Sequence, residues 1–165
     1  RDLHSFPTRR SSDLAIPKSK YFNMMFWEMG YKWFMRRFIG GNTNMYQEEK
    51  RYFVDAKKEF EMMYENLEIS DLARNGVFFE TSKYHVECID ALKKEGYKWF
   101  IIKNKNNLSV RCDDIDLTEV ARRMGKGGGH KHAIGVYLTK DDSVGDVIHQ
   151  IEYFVDELYM NSIDD

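Results

Sequence analysis

The sequence has few of the residues that mark secreted, metal-binding or membrane-spanning proteins. Its 165 residues include two cysteines, Cys88 and Cys112, which are too few for a disulfide framework and have no metal-ligand spacing. No stretch approaches the roughly 18 to 20 consecutive apolar residues that a membrane helix needs. We therefore expect a cytoplasmic protein, in a reducing compartment, with no membrane partner.

A large net charge is also lacking, because the sequence has 25 Lys and Arg residues and 27 Asp and Glu residues. This balance argues against a protein that coats nucleic acid by bulk electrostatics. The charge is uneven along the chain, however. Residues 98–132 hold eight basic and four acidic residues, whereas residues 141–165 hold eight acidic residues and no Lys or Arg. The length and the 42% of hydrophobic residues suit one domain, or slightly more, with a core.

Residues 1–14 differ from the rest of the chain. They show no helical or strand-like apolar period and no initiator methionine, and no apolar region follows their basic residues as a secretory signal requires. Over its whole length this run resembles the translation, in one frame, of a widely used short-read sequencing adaptor. We therefore expect an artefact without structure, native sequence that starts near Ala15, and missing upstream sequence. A natural disordered tail is the alternative.

Two helices are predicted between residues 18 and 67. Apolar residues from Phe22 to Phe34 recur at helical spacing, with Gly30 as a break, and glycines at 40 and 41 end the pattern near residue 37. In the second helix, from about residue 45 to residue 67, apolar residues recur every seven positions. They are Tyr46, Phe53, Phe60 and Leu67. We interpret this helix as a connection that packs on a neighbouring domain; the alternative is a short coiled coil that pairs two copies of the chain into a homodimer.

Residues 76–159 alternate short apolar runs with amphipathic helices. The strands are predicted at 77–79, 97–102, 108–112 and 133–138, with a turn at Asn106 and Asn107, and the helices at 84–95, 116–124 and 144–159. This order predicts an α/β domain with a mixed β-sheet flanked by helices. Asp116 should cap its helix, with Glu119 completing a capping box.

Five of the eleven glycines lie between residues 125 and 135. The consecutive Gly127, Gly128 and Gly129 can turn successive backbone N–H groups toward one anion without obstruction by a Cβ atom. Three neighbouring side chains add donors and positive charge: Lys126, His130 and Lys131. A tight connection between strands is the alternative interpretation, but the basic neighbours favour phosphate binding.

The predicted strand at 108–112 carries a second phosphate-binding signal. Its alternation places Ser109 and Arg111 on the face opposite Leu108 and Val110. An arginine on a sheet face beside a serine hydroxyl suits bidentate capture of a phosphate or carboxylate. A solvent-facing arginine without a ligand is the alternative.

Other combinations of reactive residues are weaker. His130 and His132 could share a metal ion, but no third ligand accompanies them at a convincing spacing. Asp114 and Asp116 could do the same, although a helix cap explains Asp116 better. Cys112 with His130 as its base suggests a nucleophile, but a small strand residue is the simpler interpretation. We expect neither a metal ligand nor a catalytic residue in this chain.

Together these residues carry a family resemblance. Ser109-Val110-Arg111-Cys112, a short helix, and Gly127 to His130 followed by Ala133 and Gly135 resemble the C-terminal half of DHH-family phosphoesterases. In that family this half is the DHH-associated domain, whose Ser-Leu-Arg-Ser-like strand and GGGH-x-x-A-A-G loop bind the phosphate of nucleotides or nucleic acid. The resemblance covers about residues 70–160. It implies that Arg111 and His130 contact the substrate phosphate, that the three glycines shape the loop, and that Ser109 supports Arg111.

The chain departs from the family pattern in two ways. Ile134 replaces the second Ala of the loop and Cys112 replaces a Ser, neither of which removes a phosphate ligand. The Asp-His-His motif of the catalytic half, which helps hold two metal ions, normally manganese, is absent. The resemblance thus implies the helical end of a truncated catalytic domain with its linker helix at residues 15–69, and a DHH-associated substrate-binding domain at residues 70–165.

The resemblance also implies a function. The chain would be the substrate-binding fragment of a phosphoesterase that hydrolyses phosphate esters of nucleotides, short oligonucleotides or cyclic dinucleotides. We expect it to be inactive alone and to bind no cofactor, with manganese in the missing half. The alternative is a stand-alone nucleic-acid-binding module similar to the C-terminal domain of alanyl-tRNA synthetases.

Overall fold

The computed structural model describes residues 18–39 and 46–162. The helices are α1 (Lys18–Ile39), α2 (Gln47–Glu65), α3 (His85–Lys94), α4 (Leu117–Met124) and α5 (Val144–Asn161). The strands are β1 (Ile69–Leu72), β2 (Gly76–Glu80), β3 (Trp99–Asn104), β4 (Asn107–Cys112), β5 (Gly128–His130) and β6 (Ala133–Tyr137). The expected adaptor segment at residues 1–14 and the glycines at 40 and 41 lie outside the described residues. None of the described helices is both long and apolar enough to cross a membrane.

The chain forms two compact units, Arg1–Glu59 and Phe60–Asp165. In the first unit, α1 is interrupted at Gly30, whose φ of 78° and ψ of 174° are not helical, as the break in the apolar pattern predicted. Near the end of α1, the buried Arg37 forms an ion pair with the buried Glu49 of α2. The indole of Trp33 also donates to a Glu49 carboxylate oxygen, over 3.2 Å.

The second unit is built on one six-stranded sheet in the order β1-β2-β3-β4-β6-β5. β2 and β3 run parallel with α3 between them in sequence, whereas every other neighbouring pair is antiparallel. Parallel neighbours require such a crossover, whereas antiparallel neighbours accept short turns. The predicted α/β class with a mixed sheet is confirmed.

Two strands, β1 and β5, were not predicted, and both lie at the edges of the sheet. The sequence of β1, Ile-Ser-Asp-Leu, is exposed or half-buried and carries no clear apolar period. The sequence of β5, Gly-Gly-His, is fully exposed and has little strand propensity. Each is a strand because a neighbour supplies its backbone hydrogen bonds, which a local pattern does not reveal.

One face of the sheet, here called the α5 face, is sealed by α4 and α5. Leu108 and Val110 of β4 and Ile134 and Val136 of β6 are at most 1% exposed on this face. They pack with apolar residues of the two helices, which are Leu117, Val120, Ile148, Ile151 and Val155. Burial of this set removes most of its apolar surface from water, which is the main driving force for folding.

The opposite face, here called the α3 face, is only partly covered. Over β2 and β3, the fully buried Val77, Phe79 and Phe100 pack with Cys88 and Leu92 of α3. The end of α2 joins this cluster through three side chains: Phe60, Met63 and Tyr64. Over β4, β6 and β5 the same face belongs to neither apolar cluster of the described residues. The sheet therefore presents an open surface on its β4-β6-β5 half.

The start of α4 is capped as the sequence predicted, but without the full capping box. The Asp116 carboxylate accepts the backbone N–H of Thr118 over 3.0 Å. Glu119 does not bond back to the cap; its carboxylate accepts from Arg122 and Arg123 instead. These two guanidinium groups lower the pKa of Glu119 to about 2. Arginines three and four residues later satisfy the carboxylate from within the helix.

The pairing of β2 with β3 requires a glycine at position 76. Gly76 faces Trp99 in register, and a Cβ atom at position 76 would lie 2.2 Å from Cε2 of that buried indole. Trp99 is also held by the 2.8 Å hydrogen bond from its Nε1 to the Ala73 carbonyl. We expect Gly76→Ala to lower the free energy of unfolding by about 1–3 kcal/mol, because an extra methyl group must displace a fixed ring. Denaturant unfolding measures this.

A matched control for that measurement is Gly145→Ala, in the first turn of α5. There the nearest atom to an added Cβ is the Ser143 Oγ at 3.9 Å. Alanine in a helix restricts the unfolded chain at no steric cost, so stability should be equal or higher. Equal stability of Gly76→Ala and the unmodified chain would contradict the steric argument.

Candidate functional site

Strand β4 places the polar side chains of Ser109 and Arg111 on the open part of the α3 face. Leu108 and Val110 are fully buried, whereas Ser109 is half-buried and Arg111 is exposed, which confirms the predicted alternation. The side chain of Arg111 forms no hydrogen bond or ion pair with another described residue. Its partial burial lowers the pKa of the guanidinium, although an arginine stays protonated in proteins. The strand therefore holds a free, charged, bidentate donor above the sheet.

The structure brings His130 to the same surface. Arg111 of β4 is in register with Ala133 of β6, and Ala133 is in register with His130 of β5. Residues in register share a face, so Arg111 and His130 lie on either side of the small Ala133. Two strand spacings separate their Cα atoms by about 10 Å. His130 is exposed, and its imidazole has no hydrogen-bond partner among the described residues.

The next row of the sheet has little side-chain bulk. Ser109 is in register with Gly135, and Gly135 with Gly128. Beside the row of Arg111, Ala133 and His130, these residues form a floor in which the backbone is accessible from the α3 face. A negatively charged group can approach such a floor closely, because few Cβ atoms obstruct it.

The three consecutive glycines have different roles in the structure. They do not form a loop; Gly128 and Gly129 belong to β5. Gly127 and Gly129 have positive φ values of 88° and 154°, and a Cβ atom on either would lie 2.3 or 2.2 Å from a backbone carbonyl oxygen of β6. Gly128 has ordinary backbone angles and open space around its missing Cβ. Two of the glycines are therefore required by the β5–β6 hairpin itself.

The predicted lysine ligands are placed differently. Lys126 Nζ lies 2.6 Å from Asp142 Oδ1, and both side chains are half-buried. The same carboxylate accepts the backbone N–H of Thr139 over 2.7 Å. Lys126 first, and Thr139 after it, lower the pKa of Asp142 to about 2. Lys131 lies in the turn between β5 and β6 with an exposed side chain, and its carbonyl accepts the Leu117 N–H over 2.8 Å.

The alternative combinations do not assemble. His132 lies in the hairpin turn, with its Nδ1 3.3 Å from the Cys112 carbonyl oxygen. Cys112 is buried on the α5 face, away from His130, with its Sγ 3.3 Å from the Tyr159 hydroxyl. Within residues 18–39 and 46–162, no group of three or more His, Cys, Asp or Glu residues could hold a metal ion. These residues therefore do not fit the manganese site of a catalytic half.

The structure adds two residues that the sequence did not single out. Asn107, predicted as a turn residue, begins β4 and is in register with Tyr137, the last residue of β6. Both continue the period-two alternation of their strands on the α3 face. The alternation of Ser109 and Arg111 could have revealed Asn107, since all three have the same parity. Tyr137 needed the pairing of β4 with β6.

Comparison with known proteins agrees with this fold. The sequence profile of the DHHA1 domain matches residues 87–157. A solved structure described as the DHH domain of a member of the s1p family of ribosomal proteins has a TM-score of 0.51 at 14% identity, covering 67% of this chain and 33% of that one. RecJ from Thermus thermophilus in complex with Mn²⁺ has a TM-score of 0.49 at 16% identity, covering 67% and 18%.

This chain thus spans about a third of the length of the first structure and about a fifth of the second. The first similarity shows a shared fold. A search of curated proteins finds no match.

Alanine substitutions can distinguish the structural roles of the three glycines at the β5–β6 hairpin. We expect Gly127→Ala and Gly129→Ala each to lower the melting temperature, because an alanine is strained at positive φ and its Cβ meets a carbonyl oxygen. Gly128→Ala is the matched control and should leave the melting temperature unchanged, since its Cβ enters open space. Thermal unfolding followed by circular dichroism checks this, and equal melting temperatures for all three variants would refute it.

The Lys126–Asp142 pair predicts a pH dependence of stability. Because the pKa of folded Asp142 is lowered to about 2, against about 3.9 for an unfolded aspartate, its stabilising effect is present above pH 4 and is lost as the pH falls through 2. Asp142→Asn should therefore lower the melting temperature at pH 7, with a difference that shrinks between about pH 4 and pH 2. Asp141→Asn, at an exposed neighbouring position, should have no such effect. A pH-independent difference for Asp142→Asn would exclude this linkage.

Proposed function

From the match of the DHHA1 domain profile to residues 87–157, we propose that the chain is the substrate-binding part of a DHH-family phosphoesterase. Its substrates would be phosphate esters of nucleotides, short oligonucleotides or cyclic dinucleotides. One observation carries the proposal. Arg111 and His130 lie on one open sheet face, on either side of Ala133, and neither has a partner among the described residues.

The chemistry of this face suits a phosphate group. The guanidinium of Arg111 can donate two parallel hydrogen bonds to two phosphate oxygens, and His130 can donate a further one from the other side. Ser109, two residues before Arg111 on the same strand face, can support the guanidinium or donate to the ester. Because all three residues stand on paired strands, their backbone positions are set before the ligand arrives, and only side-chain rotamers must be ordered on binding.

The pairing of the other basic residues favours a local phosphate site over a broad basic surface. Of the eight basic residues in 98–132, four are neutralised in ion pairs: Lys103 with Glu80, Arg122 and Arg123 with Glu119, and Lys126 with Asp142. The basic residues in that range without such a partner are Lys98, Lys105, Arg111 and Lys131. The positive charge that remains available is thus small, and a guanidinium on the open face is its best-placed part.

This face would contribute positioning rather than bond cleavage. Holding the phosphate fixes the reacting ester and stabilises charge that develops on its oxygens. Divalent ions, which we propose to be manganese, would supply the attacking hydroxide from a catalytic half outside the described residues. The two cysteines are free and buried, which suits the cytoplasmic location that we propose.

Arginine substitutions test the phosphate site. We expect Arg111→Ala to weaken binding of 5′-phosphorylated diadenylate by about tenfold or more, the effect of losing charge-assisted hydrogen bonds. Arg111→Lys should be intermediate, because it keeps the charge and loses the bidentate geometry. Isothermal titration calorimetry measures both. The matched control is Arg122→Ala, which removes an exposed arginine of α4, on the other side of the sheet, and should not change affinity.

Two further arms of the same experiment define its outcomes. Unchanged diadenylate affinity for Arg111→Ala would refute the phosphate site. Tight binding of tRNA-sized RNA, with a steep salt dependence that Arg111→Ala barely alters, would favour the stand-alone nucleic-acid-binding module. We expect this chain alone to hydrolyse no ligand. Manganese-dependent hydrolysis by it would refute the proposal that this face only positions the phosphate.

A further inference from the structure

The open α3 face continues past the proposed phosphate site to a pocket at the end of the sheet, where most of the lining residues carry polar groups. This pocket has a volume of about 520 Å³. It is lined by Ser82, Asn104, Lys105, Asn106, Asn107 and Tyr137. Tyr137 supplies its one aromatic ring, and the other five residues supply amide, hydroxyl and ammonium groups. The lining therefore suits a planar group with polar edges better than an apolar peptide side chain.

Tyr137 is exposed without a structural reason for being so. Its side chain is 73% exposed, and it has no ring contact or hydrogen bond with another described residue. The preceding apolar residue of β6, Val136, is completely buried on the α5 face, so the strand needs no second apolar anchor here. An exposed aromatic ring on a sheet face is the kind of surface on which nucleic-acid bases stack.

Asn107 adds an unfilled hydrogen-bond acceptor beside this ring. Its Oδ1 is buried and has no hydrogen-bond partner among the described residues, and it lies 3.5 Å from the position that a Cβ of Gly135 would occupy. Asn107 is in register with Tyr137, so the amide and the ring share one row of the α3 face. An acceptor left without a donor is costly in a folded protein. Because this oxygen is buried, a base amino group or a ribose hydroxyl would supply that donor only after the Asn107 amide turns toward the pocket.

The spacing along the strands determines what kind of ligand could contact both the phosphate site at Arg111 and the pocket at Tyr137. Arg111 and Asn107 are four residues apart on β4, as are Ala133 and Tyr137 on β6. At about 3.3 Å per residue, the two rows are separated by about 13 Å. This is longer than the reach from a phosphate to the base of its own nucleotide. If the bound phosphate lies over the row of Arg111, a base over Tyr137 therefore belongs to a neighbouring nucleotide.

We propose that Tyr137 is the stacking platform of a second subsite, which takes a base of a linear oligonucleotide whose phosphate is held at Arg111 and His130. This inference rests on the proposed phosphate site and narrows its ligand. A mononucleotide fills one subsite, whereas a chain of at least two nucleotides spans both. Lys105, exposed at the rim of the pocket and in no ion pair, faces the backbone of such a chain.

The test compares ligands of different length on matched variants. The probes are adenosine monophosphate and a 5′-phosphorylated trinucleotide that carries 2-aminopurine, whose fluorescence is quenched when the base stacks. We expect Tyr137→Ala to weaken trinucleotide binding by about tenfold, the usual cost of losing one base–aromatic stack, and to abolish part of the quenching. Affinity for the monophosphate should not change. Tyr137→Phe keeps the ring and should behave like the unmodified chain.

Tyr153→Ala is the matched control, since Tyr153 is 60% exposed on α5 and should affect neither ligand. If Arg111→Ala weakens both ligands and Tyr137→Ala weakens neither, the second subsite is wrong and the phosphate site stands. If Arg111→Ala changes neither affinity, the phosphate site itself is wrong. An equal loss of both ligands in Tyr137→Ala would also overturn the subsite, because one nucleotide would then reach both rows.

Discussion

The organisation of the second unit depends on the burial of one face of β4 and β6 against α4 and α5. Leu108, Val110, Ile134 and Val136 fill this face almost completely, and they leave the alternate positions to point the other way. A shift of the strand register by one residue would carry Arg111 into the core and an apolar side chain into water. The cost of burying an unpaired guanidinium is large enough to exclude that arrangement. The position of Arg111, which we propose to bind phosphate, is thus a consequence of core packing on the opposite side of the sheet.

The α3 face is divided into a half that helices cover and an open half that carries the proposed phosphate site. Over β2 and β3 the face is closed by α3 and the end of α2, with Phe79 and Phe100 fully buried. Over β4, β6 and β5 the residues on that face are small or polar, so they cannot hold a helix there by apolar packing. Ala133 and Gly135 also keep this surface open, because neither residue carries a bulky side chain that would fill the space between Arg111 and His130. The same small and polar residues that prevent helix packing leave room for the anion that we propose to bind there.

Much of this arrangement could be predicted from local patterns. The period-two alternation of residues 108–112 identified the face of Ser109 and Arg111, and the cap at Asp116 followed from residue type alone. Pairing over long distances could not be predicted in this way. The strand state of Gly128 and Gly129 depends on hydrogen bonds from β6, and the ion pair of Lys126 depends on Asp142, sixteen residues later. The role of Tyr137 likewise needed the register of β4 with β6, because nothing in its own neighbourhood distinguishes it from a surface residue.

The shortness of β5 has a consequence for how this protein behaves in concentrated solution. An unprotected strand at the margin of a sheet can recruit the same strand from another molecule and begin aggregation. β5 has only three residues, two of them glycines, and the positive φ values at Gly127 and Gly129 prevent a flat, extended margin. Such a margin offers few regularly spaced backbone groups to an incoming chain. The glycines of the hairpin that carries His130 therefore also make the β5 edge a poor template for pairing with another molecule.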